Sequence, residues 1–248
     1  MADAASPYDN IAEMYHALWA DWYFSNAAPA LEKLFFSQIP AGSTVLDVCC
    51  GSGHVTKELV ARGYKVTGID ASAALIARAR ADLPDVDLRV QDARNIQLEN
   101  RYQAALSTFD SLNHILCLDA LRQVFTGVRR VLEPGGMFVF DMNLEYAYLN
   151  DQHRWTVNVS EESVGLVRGT YDRVEKKART ELIWFTKQRD ENLWQQRKSI
   201  VEQKCYSEAE ISLALEAAGF RGIEAIPARD AGVAAKLGFG RVFFVARC

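Results

Sequence analysis

Acidic residues, an amide and two glycines lie where three consecutive β-rich runs of this sequence end. Asp47 precedes a turn that contains Gly51 and Gly53, Asp70 closes the next run, and Gln91-Asp92 closes the third. Glycine lets a ligand approach the backbone, and the N-terminus of a following helix faces such a ligand. A carboxylate can accept hydrogen bonds from both hydroxyls of a ribose, and an amide beside a carboxylate can meet an adenine edge. The pattern therefore predicts a nucleoside site at the carboxyl ends of the strands.

The charge of Asp47 separates two classes of nucleoside ligand. A Gly-x-Gly turn after a strand is also found in tight turns and in dinucleotide sites, so the glycines alone decide nothing. A dinucleotide would bring a pyrophosphate to this turn, where a carboxylate repels it. A ligand that carries positive charge would instead be attracted. We therefore expect a cationic nucleoside rather than a nicotinamide dinucleotide.

The elements that must position these residues follow from alternating hydrophobic patterns. Short β-rich runs separated by helical stretches predict a parallel sheet covered on both faces. The expected strands are 44–49, 66–69, 87–90, 103–108 and 137–141, and the expected helices between them are 55–62, 73–83 and 118–132. The predicted fold class is α/β, with a Rossmann-like, seven-stranded, mostly parallel sheet.

Helices are predicted before this core. Ser6-Pro7-Tyr8-Asp9 has the pattern of an N-cap followed by a first-turn proline and an acid. Apolar residues at helical spacing then predict an amphipathic helix: Ile11, Met14, Tyr15, Leu18 and Trp22. A second helix is expected over 27–37, before the breakers Pro40 and Gly42.

An antiparallel insertion is predicted after residue 150. Residues 154–204 alternate aromatic or β-branched residues with charges, and predict three or four strands with turns at Gly165, Lys176-Lys177 and 190–192. The core then resumes with the capping box Ser207 to Glu210, a helix that ends at Gly219, and strands over 222–226 and 242–246. The expected domains are an N-terminal helical cap at 1–42, a core at 43–150 and 205–248, and a β flap at 151–204.

Composition limits the partners of the chain. Its 248 residues are 49% apolar and carry a formal net charge of −4, so we expect a globular protein that does not bind nucleic acid. No basic-then-apolar leader and no membrane-length apolar run is present, which predicts a soluble, cytoplasmic protein outside the membrane. The five cysteines include the adjacent pair Cys49-Cys50 and form no metal-binding pattern, so no metal is expected.

The ordered series of motifs resembles the class I S-adenosylmethionine-dependent methyltransferases. The segments that carry the resemblance are 47–53, Asp70, Gln91-Asp92-Ala93, 108–114 and 132–136. Tyr8-Asp9, with Ala12 and Tyr15, is similar to the small-molecule branch that includes glycine and amino-sugar N-methyltransferases. Cys49 departs from the family pattern, because it occupies the place of the first glycine.

The resemblance implies S-adenosylmethionine as cofactor and assigns residues to its parts. Gly51 would lie against the methionine portion, Asp47 would support the loop or the ammonium group, and Asp70 would bind the ribose. The whole implied set is Tyr15, Asp47, Cys49, Gly51, Gly53, Asp70, Ala71, Gln91, Asp92, Ala93, Thr108 and Phe109. Each also has a structural interpretation: Asp70 could cap the next helix, Gln91 and Asp92 could form a turn, and Tyr15 could belong to the helix core.

Methyl transfer to a small molecule needs alignment and, for some acceptors, a base. His114, in the loop after the fourth strand, is the candidate base, although a histidine there could also begin a helix or serve packing. Asp110, Asn113, Asp141 and Asn143 are candidates to anchor an acceptor amine or hydroxyl, and Asp110 could instead cap the following helix.

Other functions remain open from the sequence. A NAD-dependent oxidoreductase would share the Gly51-Ser52-Gly53 turn but should have a third glycine where Thr56 stands. A non-catalytic adenosylmethionine-binding protein and an aminopropyltransferase would share the fold. The flap aromatic residues Trp155, Trp184, Phe185 and Trp194 could roof a small-molecule pocket or form a homodimer sheet.

Overall fold

The computed structural model describes residues 6–16, 19, 21–149, 153–188 and 193–248. A seven-stranded sheet has the strand order β10-β11-β5-β4-β1-β2-β3. Its strands are β1 (Thr44–Val48), β2 (Lys65–Asp70), β3 (Asp87–Val90), β4 (Tyr102–Ser107), β5 (Leu132–Asn143), β10 (Arg221–Pro227) and β11 (Arg241–Arg247). Strands β1 to β5 are parallel neighbours, and β11 runs antiparallel to both β5 and β10. The fold class predicted from the sequence is confirmed.

Helices cover both faces of this sheet. The helices are α1 (Ala12–Tyr15), α2 (Asp21–Leu34), α3 (His54–Ala61), α4 (Ala73–Asp82), α5 (Leu118–Val131), α6 (Glu145–Leu149), α7 (Glu208–Ala217) and α8 (Ala235–Gly238). Residues of α5 and α7 pack on one face with β5 and β11, and residues of α2 and α3 pack on the other. The predicted capping box is present, because Ser207 and Glu210 exchange side-chain and backbone hydrogen bonds. None of the helices among the described residues is long and apolar enough to cross a membrane.

A second sheet of four antiparallel strands follows β5 in the chain. It consists of β6 (Trp155–Val159), β7 (Ser163–Asp172), β8 (Lys177–Lys187) and β9 (Trp194–Lys204), in that order. We call this sheet the flap. Lys176 has a positive φ of 49° in the turn before β8, as expected. The turn expected at Gly165 is wrong: Gly165 lies inside β7 opposite Trp184, and Ser160 and Ser163 form the turn. The turn predicted at 190–192 falls outside the described residues.

The N-terminal helices differ from the sequence prediction. The second helix begins at Asp21 and passes through Pro29, since the burial of Tyr23, Ala27 and Leu31 under the sheet offsets the lost hydrogen bond. The first helix is short. It begins as a 3₁₀ turn at Asp9–Ile11 and continues as α1, while Leu18 falls outside the described residues.

The side chain of Asp9 binds the N-terminus of α4 and not that of its own helix. Its carboxylate Oδ1 accepts hydrogen bonds from Ser72 Oγ at 2.6 Å and from Ala74 N at 3.1 Å, at the N-terminus of α4. Ile11 and Met14 pack against Leu182, Trp184 and Val201 of the flap. The segment 7–16 therefore lies between the main sheet and the flap, and it is fixed to both.

Candidate active site

The carboxyl end of β1 leads into a loop with three left-handed residues. Cys49, Gly51 and Gly53 have φ values of 61°, 56° and 83°. Glycine adopts this conformation without cost, whereas Cys49 is strained there and keeps a half-buried side chain. A side chain on Gly51 would begin 3.4 Å from the ring of Tyr15. The loop therefore brings its bare backbone under the aromatic ring of α1.

Asp70 holds this loop from the end of β2. One carboxylate oxygen accepts a hydrogen bond from Gly51 N at 2.9 Å, and the other accepts one from Ser72 N at 2.8 Å. Ser72, and not Asp70, is the N-cap residue of α4. Since each carboxylate oxygen can accept two hydrogen bonds, Asp70 retains acceptor capacity on both. Its geometry suits a pair of ligand hydroxyls better than a helix cap.

Asp47 is fully buried behind the same loop. Its Oδ2 accepts a hydrogen bond of 2.6 Å from the hydroxyl of Thr56, the residue that occupies the place of a third loop glycine. Burial raises the pKa of Asp47 to about 7, the hydroxyl of Thr56 lowers it in part, and the nearby Asp70 adds to the rise. Burial also raises the pKa of Asp70. Among the ion pairs of the described residues, none involves either carboxylate.

The segment after β3 has a different geometry at its two polar residues. Gln91 closes a loop onto Gln97, because its Oε1 accepts from Gln97 N at 3.1 Å. Asp92 is the N-cap residue of a 3₁₀ turn over Ala93–Asn95 and pairs with Arg94. Ala93 is buried beside them, and Ala71 is exposed near the end of β2. These side chains build the turn that shapes this end of the site.

A buried ion pair fixes the loop after β4. Asp141 Oδ1 accepts hydrogen bonds from Tyr23 Oη and Phe109 N, both at 2.7 Å. Its Oδ2 accepts one from Asp110 N at 3.0 Å and another from Arg241 Nη1. Phe109 and Asp110 have left-handed φ values of 63° and 47°, and the ring of Phe109 stacks on Tyr23 at 4.4 Å. Asp141 thus holds a strained loop in place, and its oxygens are occupied by the protein.

Asp110 and Asn113 also have structural partners. Asp110 Oδ1 accepts from Arg241 Nη2 at 2.7 Å, and its Oδ2 accepts from Gln203 Nε2 at 2.5 Å. The amide of Asn113 donates to Asn143 O and Lys204 O and accepts from Asn143 N. These groups tie β5, β9 and β11 to the loop. That Asp110, Asn113 and Asp141 anchor an acceptor stays a prediction. Asn143 contributes its backbone to this set.

His114 lies in the 3₁₀ turn Ser111–His114, beside the N-terminal segment. Its Nδ1 lies 2.9 Å from the carbonyl oxygen of Glu202, and its Nε2 lies 2.9 Å from the hydroxyl of Tyr8 and 3.2 Å from Gln203 Nε2. Burial lowers its pKa below the ordinary value, although Asp110 and the Glu202 carbonyl oppose that shift. The imidazole is therefore neutral near pH 7. Burial raises the pKa of Tyr8, so its hydroxyl keeps its proton and can donate it.

The structure thus brings together, around one small pocket, most of the residues implied for the cofactor. Its lining includes Tyr15, Asp47, Cys49, Thr108 and Phe109. Gly51, Gly53 and Asp70 form the adjoining loop. No group of three or more His, Cys, Asp and Glu side chains in the described part of the chain is arranged to hold a metal ion.

Sequence reasoning missed the partners of these residues. Arg241, Gln203 and Tyr23 belong to no short motif, and the N-terminal motif that contains Tyr8 gave it no role beside His114. Arg241 leaves a signal, because it is a charge at the start of the otherwise apolar strand Val242–Ala246. Gln203 leaves one only after the alternation of β9 is known, since it shares a face with the buried Val201 and Ser199.

The raised pKa of Asp47 makes stability depend on pH. From about pH 4 to about pH 7, folded Asp47 retains a proton that the unfolded chain has released, so its contribution to the free energy of unfolding falls as the pH rises. We expect Asp47→Asn to remove this loss. As the pH rises from about 4 to about 7, the free energy of unfolding of the variant should increase relative to that of the parent, by up to about 4 kcal/mol. Urea unfolding at several pH values measures this difference. Asp85→Asn, at an exposed aspartate, is the control. A parallel pH dependence for Asp47→Asn and the parent would contradict the assignment.

Comparisons with known proteins agree with this geometry. Residues 45–136 match a family described as a methyltransferase domain. A putative methyltransferase of Bacillus subtilis is 30% identical over 147 residues, which are 57% of this chain and 55% of that protein. A dTDP-3-amino-3,4,6-trideoxy-alpha-D-glucopyranose N,N-dimethyltransferase of Streptomyces venezuelae is 30% identical over 122 residues, which are 48% of this chain and 50% of that protein. The chain spans about half the length of these relatives.

The fold is shared over nearly the whole chain. The crystal structure of an S-adenosylmethionine-dependent methyltransferase from Clostridium acetobutylicum superposes with a TM-score of 0.79 at 20% identity, and covers 98% of this chain and 99% of that one. The segment 45–136, which matches the family, contains the glycine loop, Asp70, Asp92 and the loop after β4. The family match, the motif order and the sheet with its single reversed strand together identify residues 45–136 as a methyltransferase domain, carried on a fold that the whole chain shares with an S-adenosylmethionine-dependent methyltransferase.

Proposed function

We propose that this protein transfers a methyl group from S-adenosylmethionine to a nitrogen or oxygen atom of a small molecule. The observation that carries the proposal is the pair of carboxylates Asp47 and Asp70, both with a raised pKa and neither in an ion pair among the described residues. A ligand with a sulfonium and an ammonium group would compensate this charge, whereas the pyrophosphate of NAD would add to it. The residues fit the former cofactor.

In this proposal, each part of the loop region has a task. Asp70 would bind the ribose hydroxyls through its remaining acceptor positions, and the backbone of Gly51 and Gly53 would face the methionine portion. Tyr15 would cover that portion from above, with Thr108 and Phe109 beside it. Asp92, Ala93 and the turn that Gln91 closes would border the adenine, next to Ala71. Cys49 and Asp47 would line the floor.

When bound, S-adenosylmethionine supplies an activated methyl group that transfers by in-line displacement. The chain would contribute alignment and the exclusion of water. The segment 7–16 and the flap cover the site, and His114 would accept the acceptor proton at Nε2. Asn143, at the end of β5, would contact the acceptor. We propose that the chain divides into three parts that share these tasks: a cap (1–42), a core (43–150 and 205–248) and a flap (151–204).

The acceptor class rests on the relatives and on charge. The Streptomyces venezuelae relative is named as an N,N-dimethyltransferase of an amino sugar nucleotide. The net charge of −4 offers no general attraction for a nucleic-acid backbone. We therefore propose a small molecule with an amine or hydroxyl group as the partner, and a cytoplasmic location for the protein.

Cofactor binding is tested by thermal unfolding with ligand. We expect adenosylhomocysteine to raise the melting temperature and NAD to leave it unchanged. Asp70→Ala should weaken adenosylhomocysteine binding by about 10- to 100-fold in calorimetry, because charge-assisted hydrogen bonds to the ribose are lost. Asp85→Ala, at an exposed position on the other side of α4, should bind as the parent does. Stabilisation by NAD alone would replace the proposal with an oxidoreductase.

Catalysis is tested with methyl-labelled S-adenosylmethionine and a panel of small amines, hydroxyl compounds and a nucleic acid. We expect label in a small molecule and none in the nucleic acid. His114→Asn should lower kcat/KM by about 10²- to 10⁴-fold, the usual contribution of a general base, with cofactor affinity unchanged. His153→Asn is the control, since His153 is an exposed histidine at the start of the flap. Cofactor binding without transfer to any acceptor would favour a non-catalytic binding protein.

We also propose that two copies pair through the flap. The flap face that packs on the N-terminal segment is buried, but the opposite face exposes Trp155, Val157 and Val159 by 41%, 55% and 73%. Val164, Leu166, Ile183 and Phe185 share that face by register and are only half-buried. Arg168, Glu181 and Lys198 add both signs of charge, so the surface can complement a second copy of itself.

Sedimentation velocity tests this pairing. Val157→Lys should shift the protein from dimer to monomer, because it buries a charge in the middle of an apolar contact. Val174→Lys is the matched control, since Val174 is 91% exposed in the turn between β7 and β8. A monomeric parent would refute the pairing without affecting the proposed activity.

A further inference from the structure

Gln203 lies at the centre of a hydrogen-bonded chain between an ion pair and His114. It sits near the end of β9 in the flap and is 9% exposed. Its side-chain nitrogen lies 2.5 Å from Asp110 Oδ2 and 3.2 Å from His114 Nε2. The other carboxylate oxygen of Asp110 accepts a hydrogen bond from Arg241. One amide therefore touches both the buried ion pair and the candidate base.

The direction of each hydrogen bond in this chain follows from the ion pair. A carboxylate paired with arginine only accepts hydrogen bonds, so the Gln203 atom that faces Asp110 must be the amide nitrogen. The same NH₂ group points at His114 Nε2. That nitrogen must then be an acceptor and carry no proton.

The other ring nitrogen of His114 leads independently to the same tautomer. His114 Nδ1 faces the carbonyl oxygen of Glu202 at 2.9 Å, and a carbonyl oxygen can only accept. Nδ1 must therefore carry the proton. Rotation of the Gln203 amide would suit a proton on Nε2, but it would place the amide oxygen against the Asp110 carboxylate. Both sides of the ring require the same tautomer.

From this geometry we infer that Gln203 is a positioning residue, whose amide, oriented by the Asp110–Arg241 ion pair, holds His114 as the neutral Nδ1–H tautomer with Nε2 facing the Tyr8 hydroxyl. The inference rests on the proposed function only where it gives Nε2 a proton to accept. The flap thereby does more than roof the site, since one of its strands fixes the proton position on a residue of the core.

The charged and titratable groups around His114 come from four elements. Tyr8 approaches from the N-terminal segment, Asp110 from the loop after β4, and Arg241 reaches Asp110 from β11. From β9, Glu202 presents its backbone carbonyl. Without Gln203, Asp110 would act on the imidazole with no donor between them, and its charge would favour the imidazolium. Loss of the amide should therefore raise the pH at which His114 titrates.

Long-range ¹H–¹⁵N NMR of the imidazole rings tests this without cofactor or acceptor. The chain has four histidines, and His114→Asn assigns the His114 signals by their loss. We expect His114 in the parent protein to show a protonated Nδ1 and an unprotonated Nε2 at pH 7. A proton on Nε2, or an imidazolium at pH 7, would overturn the inference without any variant.

The second measurement is an NMR titration of Gln203→Met, which keeps the side-chain length but has no donor. His114 should titrate about 1 pH unit above its value in the parent, and the acidic limb of the kcat/KM profile should move with it. Gln195→Met, on the same strand and the same flap face, should leave the titration unchanged. An unchanged titration in Gln203→Met would also refute the inference. If the tautomer is as expected but His114→Asn retains full transfer activity, the proposed base is wrong and the positioning stands.

Discussion

The site depends on the hydrogen bonds that the carboxylate of Asp141 accepts. This carboxylate is completely buried and accepts hydrogen bonds from a tyrosine, an arginine and two consecutive backbone amides. Those amides belong to Phe109 and Asp110, which are held in the left-handed region that side chains rarely adopt. Without the carboxylate, the loop would relax, and Phe109 would lose its stack on Tyr23. The end of β5, the last strand and the second helix therefore act together to shape one loop after β4.

Much of the fold could be predicted from the sequence because its signals are local. Alternation and capping patterns identified β3 with its exact bounds and the Ser207 capping box. The turn predicted at Gly165 was wrong because this glycine is buried inside β7, opposite Trp184. There tertiary burial outweighs a local breaker residue, and burial has no short-range signature.

The candidate site was predictable in its acids and glycines but not in their partners. Asp47, Gly51 and Asp70 could be found because the chemistry of a nucleoside requires such groups at the ends of strands. The roles of Asp110 and Asn113 could not, since their partners Arg241 and Lys204 are 131 and 91 residues away in sequence. A polar residue near a site has the same appearance in sequence whether it binds a ligand or braces a loop.

Asp47 and Asp70, at the glycine loop, affect how much of the protein is unfolded in the cell. The buried Asp47 and the half-buried Asp70, which have no ion-pair partner among the described residues, make the protein without ligand less stable than a version that lacks them, and a cationic ligand that binds only the folded state reverses this. The unfolded fraction, which proteases and chaperones act on, then depends on the concentration of the methyl donor. Under this constraint, the abundance of the protein would follow the supply of its own cofactor, and scarcity would remove molecules that have nothing to transfer.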